Sequence, residues 1–482
     1  MTEQKTGVGP EIITKLLELE KENSLFDYTV KGIPVWLFIR SLLPEYINSG
    51  SFCVPHRMMS FKKKLGILFV FLRASIAGLM KIRKLRKARR WFIAGGADRS
   101  YFPGYGNVNV FFDLLLDHSA QENDVILELP TFTSSLHKEN NYKPERIVCG
   151  DFLYFLEFFV RYHPSAEERN TLKRVAEIAG KMIEELNGNP IEGVAGLFYD
   201  HLLRNIKRYN VFRLLFSICR PKKIVMLACY TSTPILLIHH AKQKGTQIVE
   251  FQHAHIYPQH IGYRYDAIKP GDLASIPLPD KIVTFGQYYK DLLIRQSWRG
   301  DNIMIVGNPN TTTCRILDKY HNNGVLNDVT KPFKYVIVIV SQYTIIETFI
   351  EFLRDTGNHD DCLFIIKTHP KGSGERMAYE RSLNIGRNII FCPSGLHLWD
   401  LFQYASAAIG VYSTGILDAL SFGIPAFCLR SSLTLYFADL IENGYMEYVQ
   451  SIGEMKSKIV QSQKMKTVSL YKDMSFDVIN FI

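Results

Sequence analysis

The chain has 482 residues, 47% hydrophobic and 22% charged, which excludes a disordered protein and is too long for one ordinary domain. Eight scattered cysteines (53, 149, 219, 229, 314, 362, 392 and 428) form no CxxC pair, which argues against zinc sites and a disulfide framework and for a reducing compartment. The net charge of +10 is local, because 12 Lys or Arg and no Asp or Glu lie between Arg57 and Arg90; this excludes a surface basic all over and gives one positive segment.

In chain order, the start "MTEQKTGVGPEII" has no basic run before an apolar core, so no secretory signal is expected. Residues 1–89 read as a helical, basic N-terminal segment. Within it, Leu65–Met80 is apolar between Lys64 and Lys81 and carries Arg73 at its middle. That run is too short, and Arg73 too central, for a full membrane crossing. An in-plane helix on an anionic membrane is expected, which places the protein peripherally at the inner face of the cytoplasmic membrane; a helix packed on the protein's own N-terminal domain is the alternative. Few aromatics accompany the basic tail and no nucleic-acid motif does, so no nucleic-acid partner is expected.

Residues 90–310 hold strand candidates "RWFIAGG", "DVILELP", "KKIVMLAC", "TQIVEFQHA", "KIVTFGQ" and "NIMIVGNP", with helical stretches at 165–186 and 194–218. The polar stretch 311–333 reads as a linker. Residues 334–482 alternate buried strands ("KYVIVIVSQ", "CLFIIKTHP", "NIIFCP", "SAAIGVYS", "IPAFCLR") with helices ("IIETFIEFLRD", "LHLWDLFQYA", "TGILDALSFG", "TLYFADLIENG"). Such alternation predicts parallel sheets with right-handed crossovers. The fold class is therefore α/β: two doubly wound Rossmann-like domains facing a cleft, with ligands outside the carboxyl ends of the strands.

Two constellations fall at such ends. In "IIKTHPKG" (365–372) His369 would face a ligand, Pro370 would fix the exit of the chain, and Lys367 would add charge; a solvated strand end is the plainer account. In "GVYSTGILDALSFGIP" (410–425) a strand runs into a helix at Tyr412-Ser413-Thr414-Gly415. The unpaired N–H groups of that first turn, with two hydroxyls, make an anion site without a metal, although Ser413 or Thr414 could simply cap the helix. A third stretch, "VEFQHAHIYPQHIGY" (249–263), ends a strand in His253, His255 and His260. Their spacing suits zinc poorly; a general base of near-neutral pKa and plain loop residues are the other readings. Asp-x-Asp, GxxxxGK[ST] and GxSxG are absent, against metal-dependent transferases of another fold, ATPases and serine hydrolases.

A strand-end His-Pro followed by a Ser/Thr pair at a helix start resembles bacterial capsule and lipopolysaccharide glycosyltransferases of the GT-B fold, including sialyltransferases, polysialyltransferases and CDP-glycerol glycerophosphotransferases. "FDYTVKGIPVWLFIRSLL" (26–43) is similar to the opening of large members, and "QHA" at 252–254 to their "QHG" segment, with Ala254 for glycine. The resemblance implies that His369, Ser413, Thr414 and Gly415, with Lys367, hold the phosphate of a nucleotide donor, cytidine favoured. It puts Asp418 where many nucleotide-sugar enzymes carry a ribose-contacting Glu. It makes His253 the base on an acceptor hydroxyl, with Gln252, His255, His260 and Asn308 of "IVGNPN" as acceptor or cleft residues. The implied activity is metal-independent transfer of a sugar to a growing surface polysaccharide or lipid-linked acceptor, with no cofactor. Two alternatives stand beside it: a nucleotide-sugar 2-epimerase of the same fold, and an inactive polysaccharide-assembly protein.

Overall fold

The computed structural model describes residues 10–49, 61–95, 98–121, 123–129, 140–188, 191–268, 273, 276–317, 324–369, 374–431, 436–461 and 470–480. Pro370, whose role in the chain's exit is an expectation above, lies outside them. Two units form: one spans 10–284, 289–309 and 475–480, the other 285–288 and 310–474, within those described residues.

The first unit is built on seven parallel strands: β1 (Arg90–Gly95), β2 (Val125–Leu129), β3 (Ile147–Cys149), β4 (Lys223–Leu227), β5 (Gln247–Phe251), β6 (Lys281–Thr284) and β7 (Ile303–Ile305). Their order is β7-β6-β5-β4-β1-β2-β3, so the winding reverses between β1 and β4. The second has six: β8 (Tyr335–Val340), β9 (Cys362–Lys367), β10 (Ile389–Phe391), β11 (Ala407–Gly410), β12 (Ala426–Leu429) and β13 (Glu447–Val449), in the order β10-β9-β8-β11-β12-β13. Its reversal falls between β8 and β11. Every pair in both sheets is parallel. These are the two doubly wound sheets of a GT-B-like α/β protein.

The core of the second sheet follows from its strand sequences. All six residues of β8 are buried, and β9 buries five of six. Such strands carry Val, Ile and Leu on both faces because helices cover both. Burying each large apolar side chain contributes about 1.5–3 kcal/mol, and Ile337, Ile339, Phe349, Phe364, Ile409 and Phe427 share one cluster.

Several expectations change. Residues 311–333, expected as a linker, carry helices Pro309–Leu317 and Gly324–Thr330. The helical stretch 194–218 divides at Arg208 into Val194–Lys207 and Tyr209–Ile218. Strands β3 and β13, three residues each, are too short to show a period. The N-terminal segment is not separate from the first unit: buried Glu20 accepts from Trp36 Nε1 at 2.7 Å and Arg40 Nη2 at 3.1 Å, while Arg40 also donates to the carbonyls of Ile261 and Arg264. Residues 475–480 return to the first unit, where the Phe476 ring stacks on His118 at 4.2 Å and Arg90 donates to the Ile479 carbonyl.

Candidate functional site

In the second unit the carboxyl ends of β8, β9 and β11 meet on adjacent strands, with β8 in the middle. In open α/β sheets a ligand binds where the winding reverses, here beside Gln342 and Tyr412. The Gln342 side-chain carbonyl accepts from the Tyr412 N–H at 3.2 Å, tying the two tips together. Tyr412 OH lies 2.5 Å from Thr344 Oγ1.

After β11, Ser413 has extended backbone (φ −76°, ψ 131°), and its Oγ accepts from the Gly415 N–H at 3.3 Å. Helix Thr414–Ser421 begins there. Ser413 is thus a true N-cap: its hydroxyl takes the Gly415 N–H and its carbonyl takes the Ile416 N–H at 3.1 Å, and the positive end of the helix lies at the strand tips. Gly415 is required by close approach. A Cβ there would lie 2.7 Å from Leu398 Cδ2 and 3.2 Å from Val340 Cγ1.

After β9, His369 is half-buried, and its ring lies 5.7 Å from that of Tyr343. Its position is fixed by a residue that the sequence did not single out. The buried Glu375 carboxylate accepts from the His369 N–H at 3.0 Å through one oxygen and from Ser341 Oγ through the other. Ser341 Oγ also bonds Tyr379 OH at 2.6 Å. Glu375 opens helix Glu375–Ser382 after Gly374 (φ 96°), so in sequence it reads as an exposed first-turn acid favoured by the helix dipole. Only the fold turns it inward. Lys367, expected to add charge at the site, donates from Nζ to the Leu396 carbonyl at 2.5 Å. Asp418 sits one turn into the Ser413 helix. The residue as a whole is half-exposed, yet burial of its carboxyl pushes its pKa up to about 7, with the Trp399 indole acting in the opposite direction.

In the first unit the three histidines at the end of β5 share an aromatic cluster: Tyr230 packs on His253 and His260, and Tyr257 on His255 and His260. Gln252 is buried, and its Nε2 donates to the Ala254 carbonyl at 2.9 Å. His255 Nδ1 is 3.2 Å from Tyr289 OH. His260 Nδ1 accepts from the Gly262 N–H at 3.1 Å, and its ring lies 5.0–5.1 Å from those of Tyr230, Tyr257 and Tyr263. Burial lowers its pKa to about 3, so it is a neutral cap of the turn Ile261–Tyr263. His253 departs from the near-neutral expectation, since burial lowers its pKa to about 4. It is uncharged at pH 7 and a weak base. Its buried Nδ1 has no partner among the described residues, a costly state for a polar atom. Asn308 is buried after Gly307 (φ 102°). Sequence reading also missed Glu250, buried on β5. It accepts from Tyr263 OH at 2.9 Å and the Cys229 N–H at 3.3 Å, and burial pushes it up to about 7. Among the described residues no group of three His, Cys, Asp or Glu could hold a metal.

No family model matches the chain, and no curated protein matches by sequence. Solved structures do. The chain is similar to UDP-GlcNAc 2-epimerase from Methanocaldococcus jannaschii (12% identity, TM-score 0.48, covering 81% of this chain and 98% of that one). It is similar to a putative UDP-N-acetylglucosamine 2-epimerase from Listeria monocytogenes (10%, 0.48, 82% and 94%). It is also similar to UDP-GlcNAc 2-epimerase from Neisseria meningitidis bound to UDP-GlcNAc (11%, 0.44, 81% and 97%). At this identity the likeness is one of fold. These are epimerases of UDP-sugars, and the expectation of a glycosyltransferase with a cytidine donor and a polysaccharide acceptor is corrected by them.

Proposed function

We propose that the chain is an enzyme acting on a nucleotide-activated sugar, with its diphosphate held at the strand tips of the second unit. The observation that carries this reading is the convergence of the Ser413-capped helix start and the Glu375-pinned tip at His369 on strands that flank β8. Ser413 and Thr414 offer hydroxyls at the helix start beside Gly415, and His369 offers a ring nitrogen. Together they suit a phosphate without a metal.

The reaction assigned is 2-epimerisation of a UDP-sugar, the chemistry printed for the solved structures of similar fold. Nothing is passed to an acceptor. A proton leaves carbon 2 and one returns to the opposite face, so product and substrate have the same atoms. The cradle's part is to bind the diphosphate and so orient the sugar carbon that reacts.

The test is incubation with UDP-N-acetylglucosamine in D2O, followed by proton NMR. The expected result is loss of the C2 proton signal with appearance of the 2-epimer. Release of free nucleotide only when an acceptor is added, with the C2 proton retained, overturns the reading.

A further inference from the structure

Helix Phe61–Met80 continues, after a break at Lys81, into helix Ile82–Lys87. At about 1.5 Å per residue its 20 residues span roughly 30 Å, yet no helix among the described residues is long and apolar enough to cross a membrane. One side of it is packed. Ala74 and Ser75 are buried, and a Cβ on Gly78 would fall 2.2 Å from the Cys149 carbonyl oxygen and 2.8 Å from Phe152 Cδ1. This face lies on helix Asp151–Val160.

The other side is uncovered. Leu68, Leu72, Ile76 and Met80 recur every fourth residue, which aligns them in one stripe down the helix, and Met80 is 80% exposed. Phe69 beside the stripe is 69% exposed, and helix Asp151–Val160 adds Phe158 and Phe159 at 68% and 69%. Large apolar side chains grouped in this way mark an interaction surface, whereas scattered ones do not. The charges carried by the helix and its continuation have one sign, while Glu145 and Glu157 lie on neighbouring segments. Arg73, Arg83, Arg86, Lys87 and Arg89 are exposed and form no ion pair among the described residues, and no Asp or Glu occurs from 46 to 97. Lys81 and Lys84 are occupied differently. Lys81 Nζ donates to the carbonyls of Pro144 (3.1 Å) and Ile147 (2.8 Å), and Lys84 donates to that of Glu145, which staples the basic helix to the fold.

We propose that this stripe, its Phe158–Phe159 corner and the adjoining cations form an in-plane docking surface for an anionic lipid bilayer. The apolar stripe enters the acyl boundary, and the guanidinium groups meet phosphate headgroups. Charge complementarity selects this occupant. A second copy of the chain would bring the same cations against themselves, and an acidic protein would leave the apolar stripe unmatched. The inference is independent of the nucleotide-sugar reading.

The experiment is co-sedimentation of the full chain with phosphatidylcholine vesicles, with and without 30% phosphatidylglycerol. Binding to the anionic vesicles that weakens with salt is expected. Replacing Arg83, Arg86, Lys87 and Arg89 by Gln should lower it by about 10-fold or more. Phe69→Ser with Ile76→Ser should lower it with the cations intact, because exposed positions carry little of the fold. Circular dichroism checks that both variants are folded. Equal and negligible pelleting with both vesicles, or pelleting unmoved by the serine variant, overturns the proposal. So does a dimer in gel filtration that the serine variant abolishes, since it assigns the stripe to a second copy.

Discussion

The clearest lever on the site is Glu375. Its carboxylate receives the His369 N–H and the Ser341 hydroxyl, one on each oxygen, and is almost fully buried. Glu375→Ala removes both acceptors at once. A hydrogen bond to a charged group contributes about 1.5–3 kcal/mol, so losing two gives a destabilisation on the order of 3–6 kcal/mol, a large share of the roughly 5–15 kcal/mol that holds a domain together. Glu375→Gln separates charge from geometry. The amide oxygen can still accept from His369, and its NH2 can donate to Ser341 Oγ, which then turns its own hydrogen toward Tyr379 OH, 2.6 Å away. The glutamine variant should therefore lose only about 1 kcal/mol. Urea unfolding measures the stability and titration calorimetry with UDP the affinity. The alanine variant, examined at a urea concentration and temperature where it is still folded, should bind UDP about 10-fold more weakly as the His369 tip loosens, equivalent to about 1.4 kcal/mol. If alanine costs no more than glutamine and UDP binding is unchanged, the carboxylate is not what positions the tip.

Ser413→Ala should cost about 1 kcal/mol of stability through the lost cap and weaken UDP binding as well, which calorimetry reads; a stability loss with unchanged affinity would reduce Ser413 to a cap. His369→Ala should leave the urea midpoint nearly unmoved and lower turnover in the NMR assay roughly 10- to 1000-fold, as removal of one charge-stabilising donor does. Glu250, raised from 4.5 to about 7 by burial, favours its protonated form in the fold. Its contribution is fully present below pH 4.5 and is lost as pH rises through 7, at a cost on the order of 3 kcal/mol. Glu250→Gln should gain on the parent by roughly 2–3 kcal/mol between pH 5 and pH 8 in urea melts; a constant difference between the two proteins would mean that Glu250 is ionised throughout. His260 acts in the opposite sense. Lowered to about 3, it stabilises fully above pH 6.5, and that contribution is lost as pH falls through 3, so His260→Gln should flatten the acid limb of the same melts.

What the sequence showed depended on length and burial. The continuous apolar runs of β8 and β9 are legible because both faces are covered, and Ser413-Thr414-Gly415 is legible because a cap, a strand end and a small-residue helix coincide. Glu375 and Gln342 were hidden because their roles arise from partners far along the chain, Ser341 and Tyr412 respectively. His253 had the right position, but no pattern of residue types announces how strongly burial weakens a base. For the reaction, sugar transfer stood first in the sequence and a nucleotide-sugar 2-epimerase stood beside it only as an alternative. Short motifs at strand tips offer donors to an anion but carry no information on where a sugar would go afterwards.

The return of residues 475–480 to the first unit affects how the protein is made. Arg90 is clamped by Asp124 at 2.6 Å and Ser119 at 2.6 Å, but its guanidinium also reaches the Ile479 carbonyl. On a ribosome, domains tend to fold in the order in which they emerge. Here the unit that emerges first lacks these last contacts until the whole of the second has been synthesised. In the interval, the floor of β1 and the face of His118 that Phe476 covers are left open to solvent and to chaperones.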